Sequence, residues 1–382
     1  MSTIETVNGA ATERVADSAF FSGYTRTRNY HISESAIDQA NDFLVRISEG
    51  RATQQQISEA FSTSDFTMAA FAAIDTRLQQ AYAELPSVWR QYTDTITVND
   101  FRPTRLLDKW SNILGLKLVP EATEFPKAAG QSFDQWWISV VKYGLSDGIT
   151  FEARINNEAI GEIENLPGRL ARAANETETI NALSNLLAVD PATNLAADLN
   201  TDFFKAANGN APTALPLTAQ NLDAVLDALA QKKSKRGRLT ATPALQVVIP
   251  RALEQQANRI RNLRAIEITD GTTKTVYDNY LTSVDFVVEP MLDAIFTHAK
   301  AATTWFVVPK TGSIRPASFA AFLRGYETVD LRVKADAGQS TSGGAISPLE
   351  GSFELDTIEY RARHIVGHQV GDPTFTYVSR GA

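Results

Sequence analysis

Between Leu166 and Leu187 the chain carries its longest helical stripe. Leu166, Ala173, Ile180 and Leu187 recur seven apart, and Leu170 and Leu183 fill the same face. Ordinary core packing accounts for such a stripe, so this helix is read as the backbone of a domain. Pro167-Gly168 is expected to split off a short leading helix, because proline is best placed in a first turn. The 382 residues allow two or three packed units around it. With 43% hydrophobic and 21% charged residues, the composition is that of an ordinary globular protein. No run of roughly 18 apolar residues is present to span a bilayer. Met1-Ser2-Thr3-Ile4-Glu5 lacks the basic and apolar regions of a secretory signal, so none is expected. The net charge of −8 makes tight, non-specific polyanion binding a poor reading. The absence of cysteine excludes disulfides, thiol catalysis and Cys-ligated metals.

The stretch up to about Thr27 is polar and weakly patterned and reads as a flexible arm. Two amphipathic helices follow. Ser33 or Ser35 caps the first, with Ile37, Ala40, Leu44 and Ile47 on one face before Gly50. Thr63-Ser64-Asp65 caps the second, with Phe71, Ile74, Leu78, Tyr82 and Leu85 recurring until Pro86. These two helices either pack on their own core or lie on a partner subunit. Leu106, Leu107, Trp110, Ile113 and Leu114 suggest a short helix or an irregular edge. Glu121, Glu124, Pro126, Lys127 and Gly130 then form a polar interval. Trp136 to Tyr143 reads as a strand, Ser146-Asp147-Gly148 as a turn, and Ile149, Phe151, Ala153 and Ile155 as a second strand. A two-stranded excursion of this kind is marginal alone in water and must lean on something else.

Residues 190–216 form a loop-rich bridge. Beyond it Thr218 caps a helix with Leu222, Val225, Leu226 and Leu229 on one face. The strand Ala244 to Ile249, a helix from Arg251 to Arg261, alternation at Val284, Phe286 and Val288, a helix from Pro290 to about Lys300, and a buried strand at Trp305 to Val308 complete an α+β section. Ala335 to Ser347 reads as a glycine-containing loop, and Gly351 to Ala382 as strand-rich.

Motifs for chemistry are missing. There is no phosphate-binding loop and no dinucleotide fingerprint, and Ser340 and Ser342 lack the setting of a nucleophile elbow. Of His31, His298, His364 and His368, only the last two are close, four apart on a strand with no third ligand nearby. Polar or interface roles are favoured for them over zinc. Glu162, Glu164, Glu176 and Glu178 fall on helix faces read as solvated. The dense run Lys232-Lys233-Ser234-Lys235-Arg236-Gly237-Arg238 has no interleaved aromatics. It reads as a solvated loop or a salt-bridging surface rather than a nucleic-acid site. No catalytic residue, cofactor or metal is therefore expected.

Several short elements in order carry a resemblance. They are Val98-Asn99-Asp100-Phe101-Arg102, Leu114-Gly115, Val119-Pro120-Glu121 with Glu124, Tyr143-Gly144, Arg154-Ile155-Asn156-Asn157 and Leu166-Pro167. Leu245 to Ile249 with Pro250, Leu253 and Ala257 follows, and then Tyr360, Gly367, Asp372-Pro373 and Ser379-Arg380-Gly381. From about Phe71 to Ala382 the chain resembles the major capsid proteins of tailed bacteriophages. The resemblance implies the α+β fold of the phage Hong Kong 97 capsid. In that fold, residues 1–93 would be an N-terminal arm with helices and 94–158 an extended β-hairpin loop. Residues 159–216 would be a peripheral domain with a spine helix from Gly161 to Ala188, and 217–345 an axial domain. Residues 346–382 would be strands returning to the peripheral domain.

The resemblance also implies a structural, non-enzymatic role: self-assembly into hexamers and pentamers of an icosahedral head around double-stranded DNA. The implied partners are other copies of the chain, a portal protein, a scaffold or protease during assembly, and a decoration protein. DNA would be touched non-specifically and no membrane would be involved. The location would be the virion, with assembly in the bacterial host cytoplasm. The expected inter-subunit contacts are Trp136, Trp137, Glu121, Glu124, Lys127 and Arg154. Tryptophan is enriched among interface hot spots, although strand alternation makes the two tryptophans point oppositely. Lys109, Lys117 and Lys127 fall in the loop, but no pattern marks any of them for a covalent cross-link. The alternatives are a cellular nanocompartment shell of the same fold, or a soluble α/β enzyme or binding protein with a concave pocket.

Overall fold

The computed structural model describes residues 5–7, 10–13, 28–30, 34–48, 51, 64–107, 118–121, 123–125, 135–150, 158–233, 242–270, 273–334 and 357–381. The chain forms two units, each gathered from separate segments. One comprises Met1–Pro86, Val141–Thr177 and Phe322–Val366; the other comprises Ser87–Val140, Glu178–Ala321 and Gly367–Ala382.

In the first unit the two expected helices form at Glu34–Ser48 and Ser64–Glu84 and pack on each other. The Arg77 guanidinium donates to Asn41 Oδ1 at 3.2 Å across that contact. The stretch read as an unpatterned arm contains two short strands, Glu5–Val7 and Ala10–Glu13, which join Arg28–Tyr30 just beyond it in an antiparallel sheet. Backbone pairing makes that sheet, and side-chain periodicity does not announce it.

The unit's main sheet is built on the long strand Thr357–Val370. Val141–Thr150 pairs with it antiparallel, from Thr150 opposite Thr357 to Val141 opposite Val366. Asp330–Val333 is a further antiparallel partner. Ser146-Asp147-Gly148 is thus no turn: these residues face Arg361, Tyr360 and Glu359 in an unbroken ladder. A ten-residue partner strand overrides local turn chemistry, because strand formation follows context more than intrinsic preference. Tyr360 and Ala362 point into a core with Leu78, Leu170, Ala171, Ala174 and Val329. The spine helix runs unbroken over Glu158–Leu183. Pro167 sits within it, so the expected separate leading helix does not exist. The proline removes one backbone hydrogen bond but does not end the helix.

The second unit centres on a four-stranded sheet in the order Asp285–Val288, Leu245–Ile249, Trp305–Pro309, Tyr377–Ser379. Leu245–Ile249 is parallel to the first and antiparallel to Trp305–Pro309. All five residues of Trp305–Pro309 are buried, as expected for a strand covered on both faces. The helix Ala219–Ala230 buries Leu222, Val225 and Leu229, and Thr218 Oγ1 caps it by accepting from the Asn221 N–H at 3.2 Å. The helix after Pro290 ends at Ile295, short of the expected Lys300, because Phe296 enters a β-bridge with Ala196. A hairpin at Ala265–Asp270 and Thr273–Asp278 was not anticipated. Glu289 is buried at the start of the Pro290 helix. Its carboxylate accepts from the Met291 N–H at 3.2 Å and from the Tyr92 hydroxyl at 3.1 Å. Burial, only partly offset by these bonds, holds its pKa above the ordinary 4.5.

Candidate assembly surface

The expected extended loop leaves the second unit after the strand Asp94–Val98, which pairs with Ser318–Leu323. Asp100 Oδ1 accepts from the Arg102 N–H at 3.0 Å and turns the chain. Thr104–Leu107 then pairs antiparallel with Gln135–Ile138, placing Arg105 opposite Trp137 and Leu106 opposite Trp136. Opposed residues of an antiparallel pair share a face, so the two tryptophans point oppositely. Trp136 is half-buried, its ring 6.2 Å from that of Phe319. Trp137 is 54% exposed on the outer face beside Arg105.

More than twenty residues separate these two strands. Within that excursion Thr123 folds back on Pro120, its hydroxyl donating to the Pro120 carbonyl at 2.7 Å. Leu118 is 94% and Phe125 84% exposed, and Glu121 and Glu124 lie on the surface with them. Among the described residues, nothing covers these two large apolar side chains. Lys127, Arg154, Lys109 and Lys117 lie outside the described residues.

The remaining candidates do not converge. His364 is buried, with Tyr82 and Phe322 rings at 6.1 and 6.0 Å. His368 is exposed and its Nδ1 lies 3.0 Å from Asn181 Oδ1. Among the described residues no group of three His, Cys, Asp or Glu is arranged for a metal ion. Glu178, read as solvated, is instead buried, and pairs with the Arg90 guanidinium at 3.4 Å. A carboxylate can stay there because an opposite charge meets it. In the basic run, Lys232 donates to the Gly209 carbonyl at 2.7 Å and Lys233 is exposed; residues 234–238 lie outside the described set.

One surface escaped the sequence reading. The unanticipated hairpin exposes Val276 and Tyr277, and Tyr280 follows it. The Tyr280 hydroxyl bonds to the Asp223 carboxylate. Partial desolvation first, then Asp223, Asp227 and Tyr277, pushes its pKa up to about 12. The Asp270-Gly271 dipeptide, a strong hairpin signal, was the clue to this element.

The family model described as phage capsid protein matches residues 138–379, more than half of the chain. The chain belongs to that family. It is a structural protein of the phage capsid, and its place is the capsid of the virion. The mixed helix-and-sheet architecture agrees with the α+β expectation. Among solved structures it is similar to the capsid of an empty GTA particle, at 15% identity over 77% of this chain and 90% of that one, with a TM-score of 0.44. The Gordonia phage Cozz structure matches at 15% identity over 78% and 86%, with a TM-score of 0.43. The satellite phage P4 procapsid with its size determination protein matches at 8% identity over 82% and 99%, with a TM-score of 0.42. No curated protein matches the sequence.

Proposed function

We propose that this chain closes into hexamers and pentamers that tile the icosahedral head of a tailed phage around double-stranded DNA. The observation that carries the reading is the excursion between Thr104–Leu107 and Gln135–Ile138, with Leu118, Phe125 and Trp137 turned to solvent. Apolar surface of this kind aggregates unless a specific partner covers it, and in a shell the neighbouring copy is the partner always at hand. The work is binding rather than catalysis. In this reading residues 1–93 are the arm, 94–158 the extended loop, 159–216 the peripheral domain, 217–345 the axial domain and 346–382 the returning strands. Trp137, Glu121 and Glu124 meet a neighbour directly. Trp136 holds the base of the loop, and Lys127 and Arg154 belong to the same contact. Portal protein, scaffold or protease, and a decoration protein act on the assembling shell in the host cytoplasm, and the DNA is enclosed without sequence recognition.

Deleting residues 121–130 tests the role of the loop. The expected product keeps the circular dichroism and melting temperature of the full chain but forms no stable particles by light scattering and electron microscopy. Particles of normal stability from the deleted protein would overturn it.

A further inference from the structure

The segment from Arg251 to Arg264 carries four arginines against one carboxylate, Glu254, in a chain whose net charge is −8. Its middle is the helix Glu254–Asn262, held down by buried Ala257 and Ile260 on one side. The opposite side presents Gln255, Asn258, Arg259 and Asn262, three and four residues apart and all exposed. Arg251 lies exposed just ahead of the helix and Arg264 just behind it. Asp293 meets Arg251 only at the backbone N–H, at 2.9 Å. Arg261 sits at the margin, its guanidinium 5.6 Å from the centroid of the Phe286 ring. That stacking orients the planar group and leaves its N–H edge unspent. Elsewhere Arg90, Arg169, Arg315, Arg363 and Arg380 each meet a carboxylate. Among the described residues, none of the four arginines between 251 and 264 forms an ion pair.

Unpaired guanidinium groups beside side-chain amides suit phosphate oxygens. Arg, Asn and Gln side chains donate to the phosphates of a duplex without reading its sequence. A protein partner fits this face less well. The core of a protein interface is apolar and aromatic, and Leu263 is the one large apolar side chain exposed between 251 and 264. Protein–DNA contacts are instead polar and strongly positive. The nine-residue helix is ~13 Å long at about 1.5 Å per residue, and a duplex carries one charge per ~1.7 Å of its axis. The face therefore meets more phosphates than it has cations.

We propose that this face, with Arg251, Arg259, Arg261 and Arg264, touches the phosphate backbone of the enclosed double-stranded DNA and is turned to the inside of the shell. This deepens the shell reading and rests on it. The contact is local and electrostatic, so it is weak and screened by salt. A small basic face on an acidic chain holds the DNA against the wall without gripping it, because the rest of the surface repels phosphate.

The test is the salt dependence of binding between the unassembled full-length protein and a short fluorescent DNA duplex of mixed sequence, read by anisotropy. Arg259→Gln with Arg261→Gln is expected to lower the slope of log K against log salt by about 2, one phosphate contact each, and to weaken binding roughly tenfold or more near ~0.1 M salt. Arg259→Lys with Arg261→Lys keeps both charges and is expected to keep the slope. Lys205 and Lys233 are exposed on the same unit. Lys205→Gln with Lys233→Gln removes as much charge and is expected to leave the slope unchanged. No duplex binding by the wild type at low salt, or an unchanged slope in the glutamine variant, would overturn the contact. An equal loss in the Lys205→Gln/Lys233→Gln control would reduce the attraction to net charge and overturn it as well. So would a lysine variant that melts like the wild type but loses the slope. Normal duplex binding with impaired assembly in the glutamine variant would give the face to a neighbouring copy and overturn the DNA contact. Wild-type protein that builds shells but shows none of this dependence would overturn the contact alone, whereas protein that builds none would overturn the shell reading with it.

Discussion

Replacing Trp137 by alanine separates folding from assembly more sharply than any other single change. The side chain is 54% exposed, so about half of a tryptophan's roughly 250 Å² is open for a neighbour to cover. At about 25 cal/mol per Å² that area is worth ~3 kcal/mol per subunit, or roughly a hundredfold in the concentration at which shells appear. The lost area is already in solvent, so the melting temperature of the unassembled subunit is expected to stay within the small range of surface substitutions, about 0.5 kcal/mol. Trp136→Ala should do the reverse. Its ring rests on Phe319, and removing it is expected to destabilise the subunit by about 2–3 kcal/mol. Thermal melts of both variants in dissociating conditions, with light-scattering titrations of assembly, make the comparison. Normal assembly of Trp137→Ala, or a melting loss equal to that of Trp136→Ala, would refute the assignment of the two faces.

Four further outcomes are expected. A Cβ on Gly367 would lie 2.0 Å from the Ser139 carbonyl oxygen, so Gly367→Ala should cost at least about 1–3 kcal/mol by denaturant titration. In Gly168→Ala the new Cβ meets nothing within 4 Å, and the helix interior should gain about 0.5–1 kcal/mol. The raised pKa of Glu289 means the folded protein holds a proton that the unfolded chain releases above about 4.5, so this contribution is complete below that pH and fades as pH rises through the folded value. Melting temperatures across pH 4–8 should therefore show Glu289→Gln gaining on the wild type as pH increases; parallel curves would contradict the burial argument. Thr218→Ala removes the cap on the Asn221 N–H and should cost about 1 kcal/mol, measured in the same titration.

The helices were legible in the sequence because their signal is local. Ile37 to Ile47, Phe71 to Leu85 and the stripe from Leu166 each repeat within a few residues, and all three helices form. The strand Leu245–Ile249 and the buried run at Trp305 stood out for the same reason. Pairing was less legible. Gly148 looks like a turn residue until Glu359, more than two hundred positions away, is placed opposite it. Glu178 reads as solvent-facing until Arg90 is known to reach it. For the candidate surface, alternation correctly separated Trp136 from Trp137, since strand geometry alone dictates that outcome. The patch around Tyr280 was missed because its aspartates lie on a helix and its tyrosines on and just after a hairpin, about fifty residues apart.

The most direct test of the whole account is an electron micrograph of the purified full-length protein with a sedimentation profile of the same sample. Closed particles or ring-shaped capsomers, in equilibrium with a folded subunit, are the expected result. A stable monomer at every concentration and salt, with no assembly even beside other head proteins, would contradict it.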